Sequence, residues 1–256
     1  MFASAGRIDA VDQLNNRLIK YALSGRRATC EDMMHKNLTE AASNSDASCI
    51  FEAESDLAVF SLLSDFYCNK PCKKYFQALN MTESPYEARP HISKAFTDIR
   101  NALNEADEKP GVYELIQEEW AALFSASDNT ATGSKPYIHA YKRAESTAMI
   151  CGLIKIYKEC AYTDFLDNSH RHDYIGSMLG YLACIANKAS HRMNTGDAQA
   201  YTCYTETRDQ FIDEYINSWF HLYYEDVVKT VKTAFISGML TLTYTIFKRN
   251  TPPSMS

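Results

Sequence analysis

Residues 164–187 read DFLDNSHRHDYIGSMLGYLACIAN and decide the fold that we predict for this chain. A polar, turn-forming segment runs directly into an apolar stretch in which Tyr174, Met178, Tyr181 and Ile185 follow helical spacing. A carboxylate just before a helix accepts hydrogen bonds from its first free N–H groups, so Asp173 is predicted to be the N-cap. The helix that follows is too apolar for a surface position, and we expect it at the centre of the molecule.

The composition favours a helical, mildly acidic protein. The chain has 256 residues, of which 46% are hydrophobic, with only 9 Gly and 7 Pro. Few Gly and Pro residues, together with few alternating runs, are typical of helices. The net charge of −6 disfavours a nucleic-acid partner, which would need a basic surface, and suits a partner that brings Arg or Lys.

The cysteines and the chain start predict a cytoplasmic protein. Eight cysteines are present without a CxxC pair, and we expect their thiols to be free in a reducing compartment. The first residues lack the basic and apolar regions of a signal peptide. No run of about 18 apolar residues occurs, so no stable membrane insertion is expected.

Helical spacing recurs along most of the chain, and no window keeps the strict alternation of a strand. We therefore predict an all-α fold, a single-domain helical bundle of roughly nine to eleven helices. The predicted domain covers 51–250, after a polar extension at 1–50 and before a disordered tail at 251–256. Within the extension, 24–48 is expected to be a loose connection or a marginal helix, and 188–198 a polar connection. The repeating apolar positions are Leu57, Phe60, Leu63 and Tyr67; Ile92, Phe96, Ile99 and Leu103; Tyr113, Ile116 and Trp120; and Phe211, Tyr215, Trp219 and Leu222.

A metal site is one alternative for the polar segment. His170, His172 and Asp173 could approach one ion, which would make this a metal-dependent helical protein. No HxxxH, HExxH or CxxC pattern accompanies them, so a solvated loop that ends in a helix cap is the simpler interpretation. His139 and His221 lie among apolar or aromatic residues, where a histidine is more often packed than catalytic.

The chain also lacks GxxxxGKS/T, GxGxxG and GxSxG. We therefore predict a binding protein rather than an enzyme, with no cofactor. A helical adaptor or regulator that docks a partner helix in an aromatic groove remains an alternative.

The stretch from Asp173 to Leu179 resembles the TorD/DmsD family of cytoplasmic molybdoenzyme maturation chaperones, within the NarJ-like superfamily. Members carry an Asp-His pair at the start of a central helix, and DmsD-type members continue with an aromatic residue, Gly, Ser and two apolar residues. Here the Asp, Gly, Ser and apolar pair match, whereas Tyr174 replaces the His. Residues 55–79, 113–141 and 211–220 also resemble family segments in order and spacing.

The resemblance implies a non-enzymatic TorD-like chaperone. Its partners would be the twin-arginine signal peptide and the catalytic subunit of a molybdopterin-containing oxidoreductase, which it would hold for cofactor insertion before export. It would be a monomer or homodimer. A receptor for two arginines and an apolar stretch needs carboxylates beside an amphipathic groove.

The signal-peptide-binding residues expected on this basis lie around the start of the central helix and in the aromatic segments. For Asp173 the alternative is a cap alone, and for Trp219 plain core packing. The expected residues are Asp167, Asp173, Tyr174, Gly176, Ser177, Tyr137, Tyr141, Trp219 and Tyr223.

Overall fold

The structure is a computed structural model that describes residues 39–81, 90–124, 135–162 and 172–248. Those ranges contain ten α-helices and no β-strand, which confirms the predicted all-α, single-domain fold. Every helix in them is too short or too polar to cross a bilayer. The helices are α1 (Thr39–Cys68), α2 (Lys73–Met81), α3 (Pro90–Glu108), α4 (Val112–Phe124), α5 (Ile138–Tyr141), α6 (Ser146–Glu159), α7 (Ile175–Asn194), α8 (Ala198–Phe211), α9 (Phe220–Val228) and α10 (Ala234–Phe247), with a π-helical segment (Ile212–Asn217) between α8 and α9.

Helices α1 and α7 form the central pair. Helix α7 is buried around most of its circumference over its first four turns, as its apolar sequence predicts. Gly176 allows the two helices to approach closely, because a Cβ built there would lie 2.5 Å from the Cys68 sulfur. The Ser64 hydroxyl donates a 2.8 Å hydrogen bond to the Gly176 carbonyl across the same contact. The pair therefore has a defined register along its axes.

A second layer packs on this pair through aromatic side chains. Phe66 of α1 meets Phe124 of α4 and Phe235 of α10, with ring centroids 5.3 and 6.1 Å apart. The Trp120 indole is buried and donates a 2.6 Å hydrogen bond to the Phe66 carbonyl. These contacts join α1, α4 and α10 into the continuous core.

Two helix boundaries differ from the sequence predictions. Helix α7 continues to Asn194, so the predicted polar connection at 188–198 is wrong over most of its length. Ala189 and Met193 are buried on the same face of the helix as Ile175. Their burial stabilises the helix where its other residues are polar. Helix α1 begins at Thr39 and is continuous across position 50, where the extension was expected to end.

Other predicted breaks are confirmed. Helix α1 ends at Cys68, just before the Asn69-Lys70-Pro71 segment, because proline cannot continue the hydrogen-bond ladder.

The seven cysteines within the described ranges are all free. The first 38 residues and the tail after Lys248 lie outside those ranges, as do 82–89, 125–134 and 163–171.

Candidate functional site

Two segments far apart in sequence meet at the start of α7. The Ile138 N–H donates to the Asp173 carbonyl (3.1 Å), and the Ile175 N–H donates to the Pro136 carbonyl (3.0 Å). This pairing forms an isolated antiparallel bridge between Tyr137 and Tyr174. We call residues 136–139 and 173–175 together the bridge. It fixes the side chains of its two segments relative to each other, because both ends are hydrogen-bonded.

An aspartate and a histidine form the polar centre of the bridge. The Asp173 carboxylate lies 2.5 Å from His139 Nδ1 and also accepts the His139 backbone N–H at 3.3 Å. The Asp173 side chain is only 1% exposed, whereas that of His139 is 38% exposed. Since the carboxylate accepts, Nδ1–H is the donor, and Nε2 is the nitrogen left for other partners.

The prediction that Asp173 caps α7 is wrong. The N-cap is Tyr174, whose side chain makes no capping hydrogen bond. The Asp173 carboxylate instead binds the first turn of α5 and the His139 ring. The resemblance placed an imidazole next to Asp173 in sequence; here Tyr174 takes that position and His139 supplies an imidazole from another helix.

Tyr174 is completely buried beneath the bridge. Its hydroxyl donates a 2.5 Å hydrogen bond to the Tyr67 carbonyl, and its ring lies 4.9 Å from that of Tyr137. Burial raises the pKa of the Tyr174 phenol well above its ordinary value, with nearby Cys68 adding to the shift. The phenol therefore remains a neutral donor, and its contribution is to hold α7 against α1.

A second aromatic group continues from α5 to α9. The Tyr141 ring stacks on Trp219 at 5.9 Å and meets the edge of Tyr223 at 6.1 Å. The Trp219 indole donates to the Tyr215 carbonyl (2.7 Å), within the π-helical segment that carries the chain from α8 into α9. The Tyr141 hydroxyl donates to Asp226 of α9 at 3.3 Å.

The predicted site residues come together, but most are covered. Tyr137 and Tyr141 are half-buried, and Asp167 lies outside the described residues. The residues that a ligand could reach are therefore Tyr137, His139, Tyr141 and Asp226, which we call the binding face. The covered residues are Asp173, Tyr174, Gly176, Ser177, Trp219 and Tyr223.

Sequence reasoning missed two members of the binding face. His139 was interpreted as a packed residue, and Asp226 was not singled out. The Pro-Tyr-Ile-His-Ala-Tyr segment contained His139, but no local pattern links it to a carboxylate 34 positions away.

The metal alternative has little support among the described residues. They contain no group of three His, Cys, Asp or Glu side chains that could hold an ion. The His172 ring stacks on Tyr157 at 6.2 Å, and its carbonyl accepts the Tyr157 hydroxyl at 3.2 Å. Asp173 is engaged with His139. His170, the third candidate ligand, lies outside the described residues.

The all-helical fold over the described residues can be compared with known families. Residues 87–225, more than half of the chain, match the family described as nitrate reductase delta subunit, and the chain belongs to that family. The matched segment includes both parts of the bridge, Trp219 and Tyr223. A search of curated proteins and a search of solved structures each found no match.

This family consists of molybdoenzyme maturation chaperones, not of catalytic enzymes. Its members act with the catalytic subunits of molybdoenzymes. The match confirms the predicted NarJ-like superfamily and the general chaperone role. Assignment to the TorD/DmsD branch stays a prediction.

Proposed function

We propose that this chain is a system-specific chaperone of the TorD/DmsD kind. It binds the twin-arginine signal peptide of a molybdopterin-containing oxidoreductase subunit and holds the subunit in the cytoplasm until its cofactor is inserted. Family membership supports the chaperone role, and the chemistry of the binding face supports the choice of ligand.

The observation that carries the proposal is the composition of the binding face. Tyr137 and Tyr141 present amphipathic rings that suit a peptide with an apolar stretch. His139 and Asp226 add acceptors for donor-rich side chains such as arginine. The net charge of −6 also attracts a cationic segment. Aromatic rings beside acceptors are what a peptide with two arginines and an apolar run requires.

Asp173 contributes to this face through His139. Its carboxylate is too deeply buried to meet a peptide directly. Its contact with Nδ1 orients the ring and leaves Nε2 for the ligand. Asp173 and His139 are therefore proposed to act as one unit, in which the aspartate positions and the histidine touches the peptide.

Calorimetric titration with a twin-arginine signal peptide tests the proposal. We expect micromolar or tighter binding, weakened at least tenfold when both arginines are replaced by alanine. His139→Ala should weaken binding roughly tenfold, the scale of one hydrogen bond to a charged group. His191→Ala is the matched control, because His191 is exposed in the last turn of α7, roughly 24 Å along the helix from the bridge.

The outcomes separate the proposal from its alternatives. Equal affinity for the peptide without arginines would overturn it in favour of an adaptor that recognises an apolar helix. No binding to such peptides by a folded sample would also overturn it. If His139→Ala and His191→Ala bind the peptide equally well while binding still depends on the arginines, the peptide is the ligand but it binds at a place other than the binding face.

A further inference from the structure

We propose that Asp226 and the Tyr141 ring form a guanidinium subsite, which takes one of the two arginines of the peptide. This inference rests on the proposed function and deepens it, because it assigns a part of the peptide to named side chains. Asp226 belongs to α9 and was not among the residues expected from the sequence.

The Asp226 carboxylate has room for a second partner. Its contact with the Tyr141 hydroxyl is 3.3 Å long and uses one oxygen, Oδ2. Within the described residues Asp226 makes no ion pair. Lys142, next to Tyr141 in sequence, pairs with Glu145 at 3.8 Å instead. An exposed carboxylate with a free oxygen is the group that a guanidinium binds through two parallel hydrogen bonds.

The Tyr141 ring supplies a flat surface beside that carboxylate. It is held by stacking on Trp219, with an interplanar angle of 26°, and by the edge contact with Tyr223. Its hydroxyl donates to a carboxylate, which increases the electron density of the ring. A cation over such a ring is attracted to its face, and arginine is the side chain that most often does this.

The aromatic group around Tyr141 also contains the buried hydroxyl of Tyr223. The Tyr223 side chain is fully buried, and its hydroxyl has no hydrogen-bond partner among the described residues. Tyr67, Tyr141 and Tyr174 are its electrostatic neighbours. Buried polar groups without a partner are rare, so this hydroxyl marks an unusual point in the packing around Tyr141.

The test compares neighbouring acidic residues on α9. Asp226→Asn removes the charge and nearly keeps the shape, and Glu225→Gln is the matched control, because Glu225 is exposed and next in sequence. In calorimetric titration of the full chain, Asp226→Asn should raise the Kd for the twin-arginine peptide at least fivefold. Glu225→Gln should change it less than twofold.

A double-mutant cycle identifies the arginine. Peptides that lack the first or the second arginine are titrated against wild type and Asp226→Asn. For one of them, the loss caused by Asp226→Asn should disappear, because the group that Asp226 contacts is already absent. Asp226→Arg should bind the corresponding Arg→Glu peptide more tightly than wild type does.

Failure of this inference differs from failure of the proposed function. If wild type binds with arginine dependence but Asp226→Asn matches Glu225→Gln, the subsite is elsewhere. If the effect of Asp226→Asn is equal for all peptides, no arginine contacts Asp226, and the inference is overturned. If wild type binds no twin-arginine peptide, both the function and the subsite are overturned.

Discussion

Replacing Asp56 by alanine removes the central carboxylate of a buried charge network between α1 and α8. Arg208 Nη1 lies 2.6 Å from Asp56 Oδ2 and 3.4 Å from Glu52 Oε1, and its Nε lies 2.7 Å from Asp209. The Tyr204 hydroxyl donates to the same Asp56 oxygen at 2.8 Å. Asp56 is completely buried and Arg208 nearly so. The substitution would leave a buried guanidinium and a buried phenol short of an acceptor.

The expected cost is about 3 kcal/mol of unfolding free energy. Removing one partner of a buried pair costs roughly 3–5 kcal/mol, mostly because the remaining charge is not compensated. Glu52 and Asp209 would still face Arg208, so we expect the lower end. The pKa of Arg208 is raised: burial acts against the charged form, but the bonds to Asp209 and Asp56 outweigh it. An arginine guanidinium stays charged in proteins even without Asp56, so Arg208 cannot relieve the loss by releasing its proton.

Urea unfolding followed by circular dichroism measures this cost. Asp98→Ala on α3 is the control, since its pair with Lys94 is exposed and such pairs contribute at most about 1 kcal/mol. Asp56→Leu combined with Arg208→Met should recover most of the stability, because two apolar side chains replace the pair. A loss below about 1 kcal/mol for Asp56→Ala would refute the argument, and would show that solvent reaches Arg208 or that α1 is not docked on α8 as described.

Two further predictions concern the contact between α1 and α7. Gly176→Ala should destabilise the protein by about 1–3 kcal/mol in the same assay, because the new Cβ would lie 2.5 Å from the Cys68 sulfur. The cost should be smaller in a Cys68→Ala background, and an equal cost in both would mean that the sulfur is not the obstacle. Burial raises the pKa of the Cys68 thiol to about 12, partly offset by a hydrogen bond with Ser64. Iodoacetamide at pH 8 should therefore modify Cys68 about a thousandfold more slowly than exposed Cys72, and the rate at Cys68 should still rise above pH 10. Mass spectrometry measures both rates, and equal rates in the folded protein would contradict the burial of Cys68. In denaturant the two rates should be equal, which is the control.

The helical class could be predicted from local patterns because each helix carries its own signal. The apolar spacing from Tyr174 to Ile185 marked the central helix, and Pro71 marked the end of α1. The start of α1 could not be placed. Its first turns are polar and small in sequence, and the contacts that hold the helix to α8 come later, from Glu52 and Asp56. Such contacts join residues about 150 positions apart, which no local window samples.

The candidate site was predicted only in part for the same reason. The aromatic residues Tyr137, Tyr141 and Trp219 could be singled out as candidates, because each lies in a recognisable segment. Their exposure could not be predicted, because burial depends on which helices cover them. Trp219 was included among the expected groove residues with core packing as the alternative, and it is buried under Tyr141.

By itself, the sequence determined the all-helical class and the resemblance that led to a chaperone family. These follow from composition, periodicity and short motifs, which are properties of neighbouring residues. The tertiary structure decided that Asp173 binds His139 rather than capping α7, and that Asp226 joins Tyr141 at the surface. Both contacts link separate helices. Their partners are chosen by how the helices pack, and a carboxylate binds the donor that packing brings within hydrogen-bond distance.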